Sequence, residues 1–269
     1  MKFLSTIRNN GFVGAMKSIP SQFRGIKRER NLIKLKKNLY KPNKQHRYLN
    51  LGGSNWYYPR WENIDLYADS LFVDYNIDFR ENIPIPLPDN CARLVFTSHL
   101  LEHLCDEACK FNLNECYRLL HSNGVIRISV PDMDKAFKAY RKKDEYFFSN
   151  GGVTVIGDTI ERKLVNFFAS YSKKGYSGGP IVPTEEIRDK IKTLHKYDFL
   201  LWCVSQIPAD ATYKAHVNGY DFEKLHKLLK LVGFSKVIKS SYRNSIVPLL
   251  RKEAFDNRPM VSLFVEAIK

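Results

Sequence analysis

The chain contains no apolar run approaching the ~20 residues that a membrane-spanning helix needs. It contains no Cys-x-x-Cys pair, and its five cysteines are an odd number without framework spacing, which fits a reducing compartment better than a disulfide scaffold. Cys105, Cys109 and Cys116 fall near one helical face with His103 close by, yet free cysteine commonly packs as a small apolar residue. No metal site is therefore expected. At the start, Arg8, Asn9 and Asn10 interrupt Met1-Lys2-Phe3-Leu4 before the apolar core of a signal peptide forms, so a cytoplasmic location is expected. There is no internal repeat. A hydrophobic fraction of 44% and an aromatic fraction of 13% exclude a disordered chain, and 269 residues suffice for one large α/β domain.

Acidic residues are nearly absent from the first part of the chain. Residues 1–47 hold thirteen Lys or Arg against one acid, Glu29, a net of +12 out of +15. The remaining residues hold thirty basic and twenty-seven acidic side chains, a net of +3, so the body is nearly balanced. The basicity belongs to an N-terminal extension over 1–46, closed by the polar breakers Pro42, Asn43 and Lys44. Within it Phe23, Ile26, Ile33, Leu35 and Leu39 recur at roughly helical spacing among Lys and Arg. That pattern predicts a basic amphipathic helix, packed on the domain or lying on an anionic membrane surface through residues 1–40. Few aromatics are interleaved with these cations, which argues against nucleic acid as a partner.

From Arg47 onward, short apolar strands alternate with helical stretches, the pattern of a parallel sheet. Strands are predicted at Arg47–Leu51, Asn63–Leu66, Leu71–Tyr75, Arg93–Thr97 and Val125–Val130, with a helix over Asp106–Leu120. Asn123-Gly124 fits a left-handed helix cap. Residues 133–215 are too long for a structureless loop and are expected to carry helices, with turns at Gly151-Gly152 and Gly178-Gly179. The aromatics of this insertion, Phe137, Tyr140, Tyr146, Phe147, Phe148, Phe167, Phe168 and Tyr171, are read first as its own small core. A helix over Asp221–Leu231 stops at Gly233, and strands at Lys236–Ser240 and Val261–Ala267 close the chain.

Chemistry concentrates where the first strands end. Asn50-Leu51-Gly52-Gly53-Ser54 runs a strand into glycines, where no Cβ keeps the backbone from a ligand. Asp65-Leu66 puts a carboxylate at the tip of the next strand, able to accept both hydroxyls of a ribose. His99, His103 and Asp132 follow the fourth and fifth strands, and His216 stands at the far end of the insertion. Each is a candidate general base, and Asp132 is equally a helix N-cap.

The blocks Leu-Asn-Leu-Gly at 49–52, Trp-Glu-Asn-Ile-Asp at 61–65, Ser-His-Leu-Leu-Glu-His-Leu at 98–104, Glu-Cys-Tyr-Arg-Leu-Leu at 115–120 and Arg-Ile-Ser-Val-Pro-Asp at 127–132 carry a resemblance. So do His216, Leu225 to Phe234, Asn257-Arg258-Pro259 and Ser262 to Ala267. Together they resemble the class I S-adenosylmethionine-dependent methyltransferases, in particular a group associated with glycan biosynthesis. The resemblance implies a Rossmann-like α/β domain over 47–269. Its sheet has seven strands in the order 3-2-1-4-5-7-6 with the last antiparallel, helices on both faces, and a helical insertion after strand 5. It implies S-adenosyl-L-methionine as cofactor, with Asn50, Gly52, Gly53 and Ser54 along the methionine and ribose and Asp65 on the ribose hydroxyls. Asp78 and Phe79 would meet the adenine, and Thr97, Ser98 and His99 would lie beneath the sulfonium. Ser54 stands where the family carries glycine, and a left-handed backbone there would be strained. The expected activity is O-methylation of a saccharide or glycan intermediate. The competing expectations are another small molecule or RNA as acceptor, and a non-catalytic binding or scaffold protein on the same fold.

Overall fold

The computed structural model describes residues 43–54, 56–66, 72–150, 159–211, 214–256 and 258–269. The predicted extension helix, Leu71, the Gly151-Gly152 turn and Asn257 lie outside them. Residues 43–46 form the turn that the breaker cluster predicts, closed by the His46 amide on the Asn43 carbonyl at 3.1 Å.

Strands β1 (Arg47–Leu51), β2 (Trp61–Asp65), β3 (Tyr75–Asn76) and β4 (Ala92–Ser98) precede helix α1 (Asp106–Leu119) and strand β5 (Leu120–Pro131). The insertion then supplies α2 (Met133–Lys142), α3 (Glu145–Asn150), α4 (Ile160–Ala169), the hairpin β6 (Tyr171–Lys173) and β7 (Tyr176–Gly178), α5 (Thr184–Thr193) and α6 (Lys196–Ser205). Helix α7 (Phe222–Val232), β8 (Lys236–Ser240) and β9 (Ser262–Ile268) complete the chain. The large sheet has seven strands in the order β3-β2-β1-β4-β5-β9-β8. β1 to β5 pair in parallel, and β9 runs antiparallel to both β5 and β8. Counting only its own strands, this is the order 3-2-1-4-5-7-6 of the class I methyltransferase fold.

Burial follows from period. β1 and most of β5 are buried on both faces because the sheet is covered on both sides. On one side Leu49, Leu51, Ile64, Val95, Ile126 and Ile128 pack against α1 through Cys109, Leu113 and Cys116, and against α7 through Leu225 and Leu229. On the other, Trp61, Leu94, Phe96 and Val125 meet Leu250 and Phe255. Among the described residues, the cover on that second side comes from Trp56, Tyr58 and two 3-10 turns at Pro248–Arg251 and Glu253–Phe255. Arg127 of β5, fully buried, pins this segment: its guanidinium donates to both oxygens of Asp256 and to Glu266.

The insertion has the core expected of it. Phe147, Phe148, Phe168 and Phe199 are buried with Leu164, Val165 and Leu200 in a cluster separate from the sheet's, and Phe137, Tyr140 and Phe167 pack on its rim. Tyr146 is exposed.

Two local expectations change. α1 passes into β5 at Leu120 without a left-handed cap, and Asn123 (φ 62°) instead turns an irregular stretch inside β5, where the register against β4 shifts. The Gly178-Gly179 turn is not there: the hairpin turns at Gly175 (φ 79°). Gly179 is glycine because a Cβ would stand 2.5 Å from the Asn166 backbone. Among the described residues no helix is long and apolar enough to cross a membrane.

Candidate functional site

The strand order reverses between β1 and β4, and a cavity of about 260 Å³ opens at the carboxyl ends of these strands, where α/β sheets bind ligands. Its volume is near the lower bound of ~300 Å³ for small-molecule pockets. Gly52 (φ 75°) turns the chain out of β1, and a Cβ there would press on the Leu100 side chain at 3.0 Å. Ser54 follows at φ 45°, the left-handed backbone anticipated as strained. Its amide donates to Asp65 Oδ2 at 2.7 Å, so the two sequence signals, the glycine turn and the strand-tip acid, meet directly.

Of the predicted cofactor residues, Gly52, Ser54, Asp65, Leu66, Asp78, Phe79 and His99 line this cavity. Asn50, Gly53, Thr97 and Ser98 do not. Asn50 is buried and donates through Nδ2 to Asn63 Oδ1 at 3.1 Å, joining β1 to β2. Gly53 packs on that amide, with room for no Cβ: one would stand 2.3 Å from Asn50 Nδ2. Thr97 is buried within β4. The lining also includes Leu100, Leu104, Arg80 and Lys214, which the sequence did not single out. Asp78 accepts from Arg80 through both oxygens, and that guanidinium holds its carboxyl below the ordinary range against the opposing effect of burial.

The four candidate bases separate into two groups. Asp132 is the N-cap of α2, accepting from the Asp134 and Lys135 amides at 3.0 and 3.2 Å, and it lines neither the cavity nor its neighbour. Burial pushes its carboxyl up, but its place is structural. His99, His103 and His216 come together around Glu102. His99 leaves β4 at φ 54°, with Nδ1 3.0 Å from Glu102 Oε1 and Nε2 2.9 Å from Ser262 Oγ. The His103 and His216 rings meet edge to face, with centroids 4.8 Å apart. The Glu102 carbonyl accepts the Val217 and Asn218 amides at 2.8 and 3.1 Å, tying the end of the insertion to the turn at Leu101–His103.

Electrostatics give this group fixed roles. Burial alone would raise the Glu102 carboxyl, but the imidazoles facing it, His99 foremost, outweigh burial and hold it at about 2. It is an anion at neutral pH, and an ionised carboxylate only accepts. A proton on His99 Nδ1 therefore faces Glu102, and His99 Nε2 lies against the Ser262 hydroxyl. Burial pushes His216 down to about 4, so it is neutral at physiological pH. His99 also borders a second, smaller cleft with His216, Phe148, Lys163, Phe167 and Arg258. At about 20 Å³ that cleft admits roughly one water molecule.

The cysteines are all free, and Cys109 and Cys116 are buried in packing contacts. Cys109 Sγ lies 2.7 Å from the Tyr220 hydroxyl.

No family model matches the chain, and no curated protein matches it. Among solved structures it is similar to a SAM-dependent methyltransferase from Archaeoglobus fulgidus, at 14% identity and a TM-score of 0.42, covering 92% of this chain and 96% of that one. An S-adenosylmethionine-dependent methyltransferase from Mesorhizobium loti is similar at 12% identity and a TM-score of 0.39, over 90% and 97% of the two chains. A SAM-dependent methyltransferase from Aquifex aeolicus is similar at 10% identity and a TM-score of 0.38, over 87% of each. The class I methyltransferase fold is defined here by the order and direction of the protein's own seven strands, β3-β2-β1-β4-β5-β9-β8.

Proposed function

We propose that the protein is an S-adenosylmethionine-dependent methyltransferase acting on a hydroxyl group. The observation that carries the reading is the Asp65 carboxylate at the end of β2, joined to the Gly52–Ser54 turn at the strand-order reversal. The donor set fits the cofactor. Asp65 gives one oxygen to Ser54 and keeps Oδ1 for a ribose hydroxyl. Asp78 offers acceptors for an adenine amine, while Phe79, Leu100 and Leu104 supply apolar walls for the purine.

When bound, the cofactor supplies an electrophilic methyl group on a sulfonium, open to direct in-line attack. The chain's part is to orient the acceptor and take its proton. His99 is placed for both, since among the described residues it alone borders the cavity and the smaller cleft. Glu102 orients its ring through Nδ1, and Nε2, which lies against Ser262 Oγ, is the nitrogen that would take the acceptor's proton. A sugar ring, the acceptor class suggested by the resemblance, enters only if Phe148 and Lys163 withdraw from the smaller cleft.

The test is calorimetric titration of the full chain with S-adenosylhomocysteine. We expect micromolar binding that weakens at least tenfold in Asp65→Ala. A folded protein that binds none at millimolar ligand would overturn the proposal and leave a non-catalytic binding role on the same fold. Given binding, His99→Ala is expected to lower methyl transfer to alcohol acceptors by 10²–10⁴-fold, leaving S-adenosylhomocysteine affinity within a few-fold.

A further inference from the structure

Glu102, which orients His99, stands beside His103 and His216. One potential ligating atom from each lies within 4.8 Å of the others. His103 Nδ1 stands 3.1 Å from the Ala215 carbonyl and His216 Nδ1 3.2 Å from the Phe167 carbonyl. A carbonyl oxygen only accepts, so each ring carries a proton on Nδ1 and Nε2 is the nitrogen left to ligate a metal. Metal-binding histidines are held in this way, with the distal N–H anchored on a main-chain carbonyl. The carboxylate completes the pattern. Glu102 gives Oε1 to His99, while Oε2 has no hydrogen-bond partner among the described residues although the side chain is 1% exposed. A buried carboxyl oxygen without a partner is costly, and a cation beside it removes that cost.

We propose that Glu102, His103 and His216 bind one divalent transition-metal ion, of the zinc, cobalt or manganese type. Two imidazoles and a carboxylate suit such ions better than magnesium or calcium, which prefer all-oxygen shells. A tetrahedral ion holds its ligands ~3.3 Å apart given bonds of ~2.0–2.1 Å, so the three side chains draw in by about an ångström on binding. His99 becomes the outer partner that orients the Glu102 ligand. His103 borders the cavity and His216 the smaller cleft, so the ion lies at their boundary with a coordination position open. Its role rests on the methyltransferase reading: there it would take an acceptor hydroxyl oxygen as ligand and make its proton easier for His99 to remove. The site itself does not depend on that reading.

The test uses the untagged full chain, stripped with chelator and titrated with Zn²⁺ alone by calorimetry and with Co²⁺ alone by visible absorption. We expect one ion per chain at micromolar affinity or tighter, with the d–d bands of a nitrogen and oxygen ligand set. His103→Ala and His216→Ala should each weaken binding at least tenfold, and millimolar Mg²⁺ should not compete. Circular dichroism melting checks that each variant is folded. Should His216→Ala fail to fold, His103→Ala decides, because its ring borders open cavity. Absence of Zn²⁺ and Co²⁺ binding by the folded protein would overturn the site, as would undiminished binding in a folded variant. Cys105, the exposed thiol, is the expected source of undiminished binding, recognisable by a sulfur charge-transfer band. Titration with S-adenosylhomocysteine runs separately. Metal binding without cofactor binding removes only the methyltransferase reading, and the converse removes only the metal site.

Discussion

Ser54 and His99 both hold left-handed backbone beside the cavity, at φ 45° and 54°. For an L-residue that conformation costs ~1–2 kcal/mol, against ~0.5–1 kcal/mol of extra chain entropy that glycine loses on folding. Ser54→Gly is therefore expected to stabilise the protein by a few tenths to about 1 kcal/mol, read by urea denaturation. It should leave S-adenosylhomocysteine affinity unchanged or tighter, because the amide that meets Asp65 is kept. A destabilised variant would show that the serine side chain contributes more than its backbone costs. Gly52 and Asp65 were legible because their signals are local, a strand end and a strand tip. Asn50 and Thr97 were placed at the ligand by resemblance, which transfers a position along the chain but not the side-chain direction. Successive residues of a strand point to opposite faces, and Asn50 turns to Asn63 on β2. The pairing of His103 with His216 crosses more than a hundred residues, and no spacing announces it.

Helix α7 shows what one cap joins. Asp221 is its N-cap, accepting the Lys224 amide at 2.7 Å, and is almost fully buried. The same carboxylate accepts from the Tyr197 hydroxyl at 2.7 Å and pairs with Lys196, both on α6. Asp221 thus fastens the insertion to the sheet domain. Asp221→Ala is expected to cost about 2 kcal/mol, the upper range for a lost cap, whereas Asp221→Asn keeps the cap and costs less. Burial would raise this carboxyl, but Lys196 and the helix amides outweigh it and hold it below the ordinary range. Its contribution is therefore complete above ~pH 4, the unfolded value, and is lost as pH falls through the lower folded value. The gap between Asp221→Asn and the parent protein in urea melts should shrink on that descent. A gap constant from pH 6 to pH 3 would mean that the charge contributes nothing. Periodicity and glycine marked α7 and its stop at Gly233 (φ 114°), where cap and pattern agree. They misplaced the turn at Gly178-Gly179, because a glycine kept for close packing looks in sequence like one kept for φ.

At the scale of the molecule, charge divides the chain: residues 1–47 carry +12 of the net +15. Strand number was legible from alternating apolar runs, but strand order was not, since it depends on which edges meet. The resemblance supplied that order. No pattern pointed to the two 3-10 turns that cover one sheet face, because they are anchored by Arg127 on Asp256, a contact between residues far apart in the chain. Eleven of the Lys and Arg and the single acid Glu29 lie within 1–42, and the cavity-lining residues among those described lie beyond 42. A chain lacking 1–42 is expected to keep its S-adenosylhomocysteine affinity within about twofold. The full chain should sediment with phosphatidylserine vesicles at low salt and be released at about 0.5 M, where screening shortens to a few ångströms. The shortened chain should not sediment at all. Loss of cofactor affinity on truncation would make the extension part of the binding unit. Equal vesicle binding by both chains would place the membrane-attracting charge on the nearly balanced body, where a patch rather than a net excess would have to supply it.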